Sequence, residues 1–124
     1  MKILIIDDQV APRESIRMIL KDKYAIAMAA EATEAFKYMA ENPVDLVLLD
    51  IRMPKIDGIT ALKEIKRKHP ETEIILLTAY ATHETTQKAL KSGVFGCLIK
   101  PFDKDELLDI IDRALKKRHS NKTL

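Results

Sequence analysis

Four apolar runs in this chain are each closed by a side chain able to act on an anion or a metal ion. Ile3–Ile6 is followed by Asp7 and Asp8, Leu46–Leu49 by Asp50, Ile74–Leu77 by Thr78, and the run ending at Ile99 by Lys100. Taken singly, each of these is an ordinary turn or cap residue. Carboxylates brought together are a different matter. Two of them about 4 Å apart repel by about 4 kcal/mol at an effective dielectric of 20, a large part of a domain's net stability of about 5–15 kcal/mol. Such a cluster must share a proton, hold a cation, or lie near an ammonium group such as Lys100. Oxygen-only ligands suit Mg²⁺, which takes a few carboxylates and keeps waters for a phosphate-bearing partner. A carboxylate attacking phosphorus yields an acyl phosphate, with Asp as the covalent nucleophile. Mg²⁺ would neutralise phosphoryl oxygens there, and a Thr hydroxyl and a Lys ammonium would bind the remaining ones by positioned electrostatics.

That chemistry requires the ends of the runs to meet, so the elements decide it. Short apolar runs alternate with helical patterns along the whole chain. The runs Ile3–Ile6, Ala25–Ala29, Leu46–Leu49, Ile74–Leu77 and Gly96–Ile99 have the length and flanks of strands. Between and after them lie the amphipathic stretches Pro12–Lys21, Thr33–Glu41, Ile59–His69, Glu84–Ser92 and Asp103–Arg118. Pro12 suits the first turn of a helix, and Thr33 or a neighbour can cap the second. Asp103 with Glu106 three residues on has the form of a capping box, and Gly93 is a helix stop. Five strands alternating with five helices predict an α/β domain with a parallel sheet and right-handed crossovers. At this size the arrangement is a flavodoxin-like doubly wound sheet of order 2-1-3-4-5. Ligands of such sheets bind beyond the carboxyl ends of the strands, where the order reverses between the first and third. Asp7, Asp8 and Asp50 would share that crevice.

Composition narrows the class. The chain has 124 residues, 47% of them hydrophobic, with a formal net charge of +2, which indicates one domain with no bias toward nucleic acid or membrane. We expect the domain to occupy residues 1–118, with a polar tail over 119–124. No apolar run approaches the roughly 20 residues that span a bilayer, and the N-terminus turns acidic at Asp7, too soon for a signal peptide. A single cysteine, Cys97, excludes an internal disulfide and fits a reducing cytosol, so a cytoplasmic location is expected. The basic stretch Lys116–His119 suits a helix end, and no nucleic-acid contact is expected of it. His69 and His83 lack ligand spacing and read as solvated surface.

At the run-ending residues the chain resembles the receiver domain of bacterial two-component response regulators, over almost its full length. The matching pieces are Asp7-Asp8, LLDIRMPKIDG around Asp50, TAY at Thr78–Tyr80 and KPF at Lys100–Phe102. The resemblance implies that Asp50 is phosphorylated by a sensor histidine kinase or a histidine phosphotransfer protein. It implies that Asp8, Asp50 and the backbone carbonyl of Arg52 bind Mg²⁺, with Asp7 supporting the metal through water. Thr78 and Lys100 would contact the phosphoryl group, and the Lys100–Pro101 bond would be cis. Readout would fall on the surface of the fourth helix, fifth strand and fifth helix, toward a downstream protein target or an output domain. Arg52 and Tyr80 would flank the path of a hydrolytic water and lengthen the life of the phosphate.

One position departs from the pattern. Receivers often carry an aromatic switch residue three before the lysine, and here that place holds Cys97. It reads either as a small hydrophobe of the fifth strand or as a redox or altered switch element. Rival functions are weaker. A phosphatase of the haloacid dehalogenase type wants Asp-x-Asp-x-Thr after the first strand, where this chain has Asp7-Asp8-Gln9-Val10. A flavodoxin-type carrier needs a phosphate-cradling loop there, and two carboxylates would repel the phosphate of FMN. Enzymatic turnover beyond the chain's own phosphorylation and dephosphorylation is not expected. Within the family, Gln9, Arg52, TAY and KPFD are similar both to a single-domain phosphorelay intermediate and to receivers of sigma-54 activators. The chain therefore reads either as a whole regulator or as the receiver of a longer DNA-binding one.

Overall fold

Branched and long aliphatic side chains at successive positions bury the runs Ile3–Ile6, Leu46–Leu49 and Ile74–Leu77 on both faces in the computed structural model, whereas Ala25–Ala29 and Gly96–Ile99 are only partly covered. The structure describes residues 1–51, 56–79 and 83–123, without the side chains of Ile51, Ile56, Asp57, His83, Thr85, Thr86 and residues 119–123. The elements are β1 (Lys2–Ile6), α1 (Val10–Leu20), β2 (Ala25–Ala29), α2 (Ala32–Glu41), β3 (Leu46–Ile51), α3 (Ile56–Lys68), β4 (Glu73–Thr78), α4 (His83–Lys91), β5 (Gly96–Ile99) and α5 (Lys104–Thr123). The strands form one sheet of order β2-β1-β3-β4-β5, all paired in parallel. This is the doubly wound, flavodoxin-like topology expected.

Because successive strand residues point to opposite faces, the core divides into two layers. Leu4, Ile6, Val47, Leu49, Ile74 and Leu76 pack with Ala35 and Met39 of α2, Leu62 and Ile65 of α3, and Ala89 of α4. Ile3, Ile5, Leu46, Leu48, Ile75 and Leu77 pack with Ile16 and Leu20 of α1 and with Leu107, Ile111 and Ala114 of α5. Burying one Leu or Ile side chain contributes about 1.5–3 kcal/mol, so the two layers together fix which face every strand residue takes.

Several helix ends depart from the sequence reading. α1 starts at Val10 behind an N-cap Gln9 whose side chain makes no cap bond, and Pro12 sits inside its first turn. Thr33 does not cap α2; the cap position is Glu31, again without a side-chain bond. Glu34 reaches back instead, accepting the Ala30 N–H at 2.6 Å. The box at α5 is as expected, with the Glu106 N–H donating to Asp103 Oδ1 at 2.8 Å and the Asp103 N–H donating to Glu106 Oε1 at 3.3 Å. Gly93 takes a positive φ of 97° after α4, the left-handed conformation that ends helices at little cost only for glycine.

α5 runs to Thr123, beyond the helix end expected at Arg118. Its basic end is not simply solvated. Arg118 Nη1 lies 2.6 Å from Asp45 Oδ1, with its side chain only 10% exposed, and its Nε donates to the Glu71 carbonyl at 3.1 Å. Lys117 Nζ is 3.4 Å from Glu73 Oε2. These contacts fasten α5 to the amino end of the sheet. Among the described residues, no helix is long and apolar enough to cross a membrane.

Candidate functional site

At the opposite end, the strands deliver their last polar residues to one place. Asp50 belongs to β3 itself, paired with Leu77 of β4, and its side chain is 3% exposed. Lys100, just past β5, donates from Nζ to Asp50 Oδ2 at 2.6 Å. The other oxygen, Oδ1, is buried and accepts no hydrogen bond. Burial raises the Asp50 pKa, and the neighbouring Asp7 carboxyl raises it further. The Lys100 contact pulls the other way but does not offset both, and the Asp50 carboxyl is pushed up to about 6. A buried carboxyl beside another carboxyl holds its proton more tightly for both reasons.

Asp7 is 2% exposed and is fixed along its backbone and side chain. Its N–H donates to the Ala29 carbonyl at 3.1 Å, continuing the β1–β2 ladder by one residue. Its Oδ1 accepts the Gln9 N–H at 2.9 Å, and its carbonyl accepts from Arg13 Nη1 at 3.1 Å. Asp8 is exposed at the rim. Strand alternation sets the side that Asp7 takes: Ile3 and Ile5 face α1 and α5, and Asp7 continues that side, as Asp50 does after Leu48. The structural roles of Gln9 and Arg13 were not read from the sequence. Arg13 stands one turn after Gln9, and that spacing was the only available signal.

Thr78 ends β4, 1% exposed, and its carbonyl accepts the Lys100 N–H at 2.8 Å. The ends of β4 and β5 are thereby tied beside Asp50. The Lys100–Pro101 peptide bond is cis. Cys97 pairs with Leu76 across β4 and β5 and packs, half-buried, on the α2–α3–α4 layer. Burial pushes its thiol up, which leaves it a small protonated group rather than a thiolate. Arg52 and Tyr80, expected to supply a metal-binding carbonyl and to modulate loss of the phosphate, lie outside the described residues.

The structure thus brings Asp7, Asp50, Thr78 and Lys100 together, with Asp8 at the rim. Among the described residues, no three His, Cys, Asp or Glu side chains group closely enough to hold a metal unaided. The donor chemistry nonetheless fits Mg²⁺. The set offers two buried carboxylates in contact and an Asp50 oxygen without a hydrogen bond, and Mg²⁺ is held through one or two carboxylates with waters completing its shell.

Comparison with known proteins completes the description. The family model described as "Response regulator receiver domain" matches residues 3–112. The Escherichia coli regulatory protein AtoC is 41% identical over 128 residues, 99% of this chain and 27% of AtoC. The E. coli transcriptional regulatory protein ZraR is 39% identical over 119 residues, 95% of this chain and 27% of ZraR. The chain therefore spans about a quarter of the length of these relatives. A CheY-like receiver domain from Methanospirillum hungatei superposes with a TM-score of 0.90 at 29% identity, covering 97% of each chain. NtrX from Brucella abortus, solved with ATP, gives 0.90 at 30% identity, over 98% of this chain and 28% of that one.

Proposed function

The chain belongs to the response regulator receiver domain family, and from that membership we propose that Asp50 accepts a phosphoryl group from a phosphohistidine. The observation that carries the assignment is the buried Asp50 carboxylate, held by Lys100 Nζ at 2.6 Å on one oxygen and free of hydrogen bonds on the other. An Asp50 oxygen forms the new bond to phosphorus while the P–N bond to the donor imidazole breaks; the imidazole leaves with the electron pair and takes up a proton. The product is an acyl phosphate on Asp50. Mg²⁺, held by Asp8, Asp50 and the Arg52 carbonyl with Asp7 behind, would neutralise the phosphoryl oxygens. Lys100, just past β5, and the Thr78 hydroxyl, at the end of β4, would bind the remaining phosphoryl oxygens.

The donor is a sensor histidine kinase or a histidine phosphotransfer protein, and the receiver passes its state to a protein target or to an output domain in cytoplasm. We extend the same reading to residues 1–118 as the receiver unit, with 119–124 as its polar continuation. Acetyl phosphate with Mg²⁺ tests the acceptor: intact mass should show one added phosphate on the wild type and none on Asp50→Asn. A full phosphate increment on Asp50→Asn would overturn the assignment, and release of product over many turnovers would favour the dehalogenase-type phosphatase.

A further inference from the structure

α3 and α4 enclose a groove of about 600 Å³ that the phosphoryl site does not use, lined by Ile59, Thr60, Lys63, Lys88, Lys91 and Ser92. Its floor is firm, because Ile59 packs against the core layer beneath. Its walls carry three ammonium groups. Of these, Lys88 has a carboxylate 3.4 Å away, Glu84, whose side chain is 80% exposed. The nearby Glu64 is engaged by Arg67 and Lys68 instead. Three lysines line this one concavity, and no acidic residue is among its described lining. Like charges lining a cleft raise its potential and concentrate counter-ions there, and the cost of their repulsion is relieved when an anion enters.

We propose that this groove binds a short acidic peptide segment of a partner protein. Several features favour a peptide over a compact inorganic anion. The positive charges are spread over two helices rather than converging on a point. An apolar floor at Ile59 takes an aliphatic side chain, and Thr60 and Ser92 add hydroxyls at the edges. Lysine ammonium groups on flexible stems suit carboxylates at varied spacing, whereas arginine forks would favour one fixed planar geometry. The volume lies in the range of specific small sites, about 300–1,000 Å³. It accommodates a few extended residues and is too small for a long helix.

The test uses the full chain carrying Asp50→Asn, so that phosphorylation plays no part and its failure cannot be mistaken for failure at Asp50. A synthetic heptapeptide alternating glutamate and leucine is titrated into ¹⁵N-labelled protein, with a lysine–leucine heptapeptide and inorganic tripolyphosphate as separate probes. Amide shifts should centre on residues 59–63 and 88–92 for the acidic peptide alone. Lys63→Gln with Lys91→Gln should weaken binding about fivefold or more, the scale of two exposed charge pairs, while melting temperature and circular dichroism stay unchanged. Shifts centred elsewhere, undiminished binding by the double variant, or tripolyphosphate binding at the groove more tightly than the peptide would each overturn the proposal.

Discussion

Asp50 pairs a short ion contact to Lys100 with a raised pKa, and the two are consistent once burial is weighed. Desolvation and the Asp7 carboxyl outweigh the single ammonium group, so the folded carboxyl titrates at about 6 against a reference of 3.8. A raised carboxyl pKa means the folded state binds the extra proton between those values, so this group's contribution to stability falls as pH rises through that window. Between pH 4 and pH 7 the ionisation costs about 3 kcal/mol. Without divalent metal, Asp50→Asn should therefore be more stable than wild type at pH 7.5, with the difference shrinking toward pH 4. Urea unfolding of both proteins at the two pH values measures this; a difference independent of pH would remove Asp50 as its source. The identity of this residue was legible in the sequence because it is the first polar side chain after a run buried on both faces. The side that Asp7 takes was also legible, from the alternation of Ile3 and Ile5, but the exposure of Asp8 was not, because Leu4 and Ile6 on its own side are buried. Arg52 and Tyr80, each two residues beyond a site residue, yield a kinetic expectation. A guanidinium and a phenol there would crowd the in-line water and offer no carboxylate or amide to orient it. The double substitution Arg52→Asn with Tyr80→Glu should speed loss of phosphate about ten- to a hundredfold, followed as decay of the phosphorylated protein in Mg²⁺. Equal decay rates would show that these side chains do not guard the phosphate.

The elements carry the signal outward. Thr78 closes β4 and is tied through its carbonyl to Lys100 beyond β5, so a pull on either reaches the strand that separates α4 from α5. Leu90 on α4 and Ile99 on β5 are 47% and 56% exposed, which leaves apolar surface where a partner could bury it. We expect phosphorylation to be read there, between Glu84 and Lys117, as a shift between two existing packings. Cys97 is small where receivers often place an aromatic ring, so the change should be smaller than in most of the family. Adding beryllofluoride, a phosphoryl mimic, should move amide resonances of α4, β5 and α5; shifts confined to α1 and α2 would contradict the expectation. The order of the elements was legible because every strand is a short apolar run between amphipathic stretches. Helix ends were harder. Gln9 and Glu31 occupy cap positions without side-chain cap bonds, so no cap chemistry marks them. Past Arg118 the polar sequence of α5 gives no hydrophobic period to follow. Asp103 and Glu106, which do form reciprocal bonds, marked their helix start correctly.

Across the whole molecule the two ends of the sheet treat charge in opposite ways. At the amino end, Asp45 meets Arg118 and Glu73 meets Lys117 and Lys66. These are long-range pairs that no local pattern announces. At the carboxyl end, Asp50 meets Lys100 beside the buried Asp7, while Asp8 adds a third carboxylate at the rim. The first end locks α5 to the sheet, and the second stores repulsion that a bound cation relieves. Mg²⁺ that binds only the folded state adds RT ln(1 + [L]/Kd), about 1.4 kcal/mol at ten times Kd, or about 5 °C in melting temperature for a domain of this size. Asp8→Asn should act in two directions at once. It removes one like charge, so the metal-free form should melt higher than wild type. It also removes a proposed ligand, so the Mg²⁺-dependent rise should disappear. Because Asp8 is exposed, the first effect should be the smaller of the two. Thermal scans of both proteins in EDTA and in Mg²⁺ separate them. A full Mg²⁺ rise retained by Asp8→Asn would show that Asp8 is not a ligand, and the metal would then rest on Asp50, Asp7 and the Arg52 carbonyl.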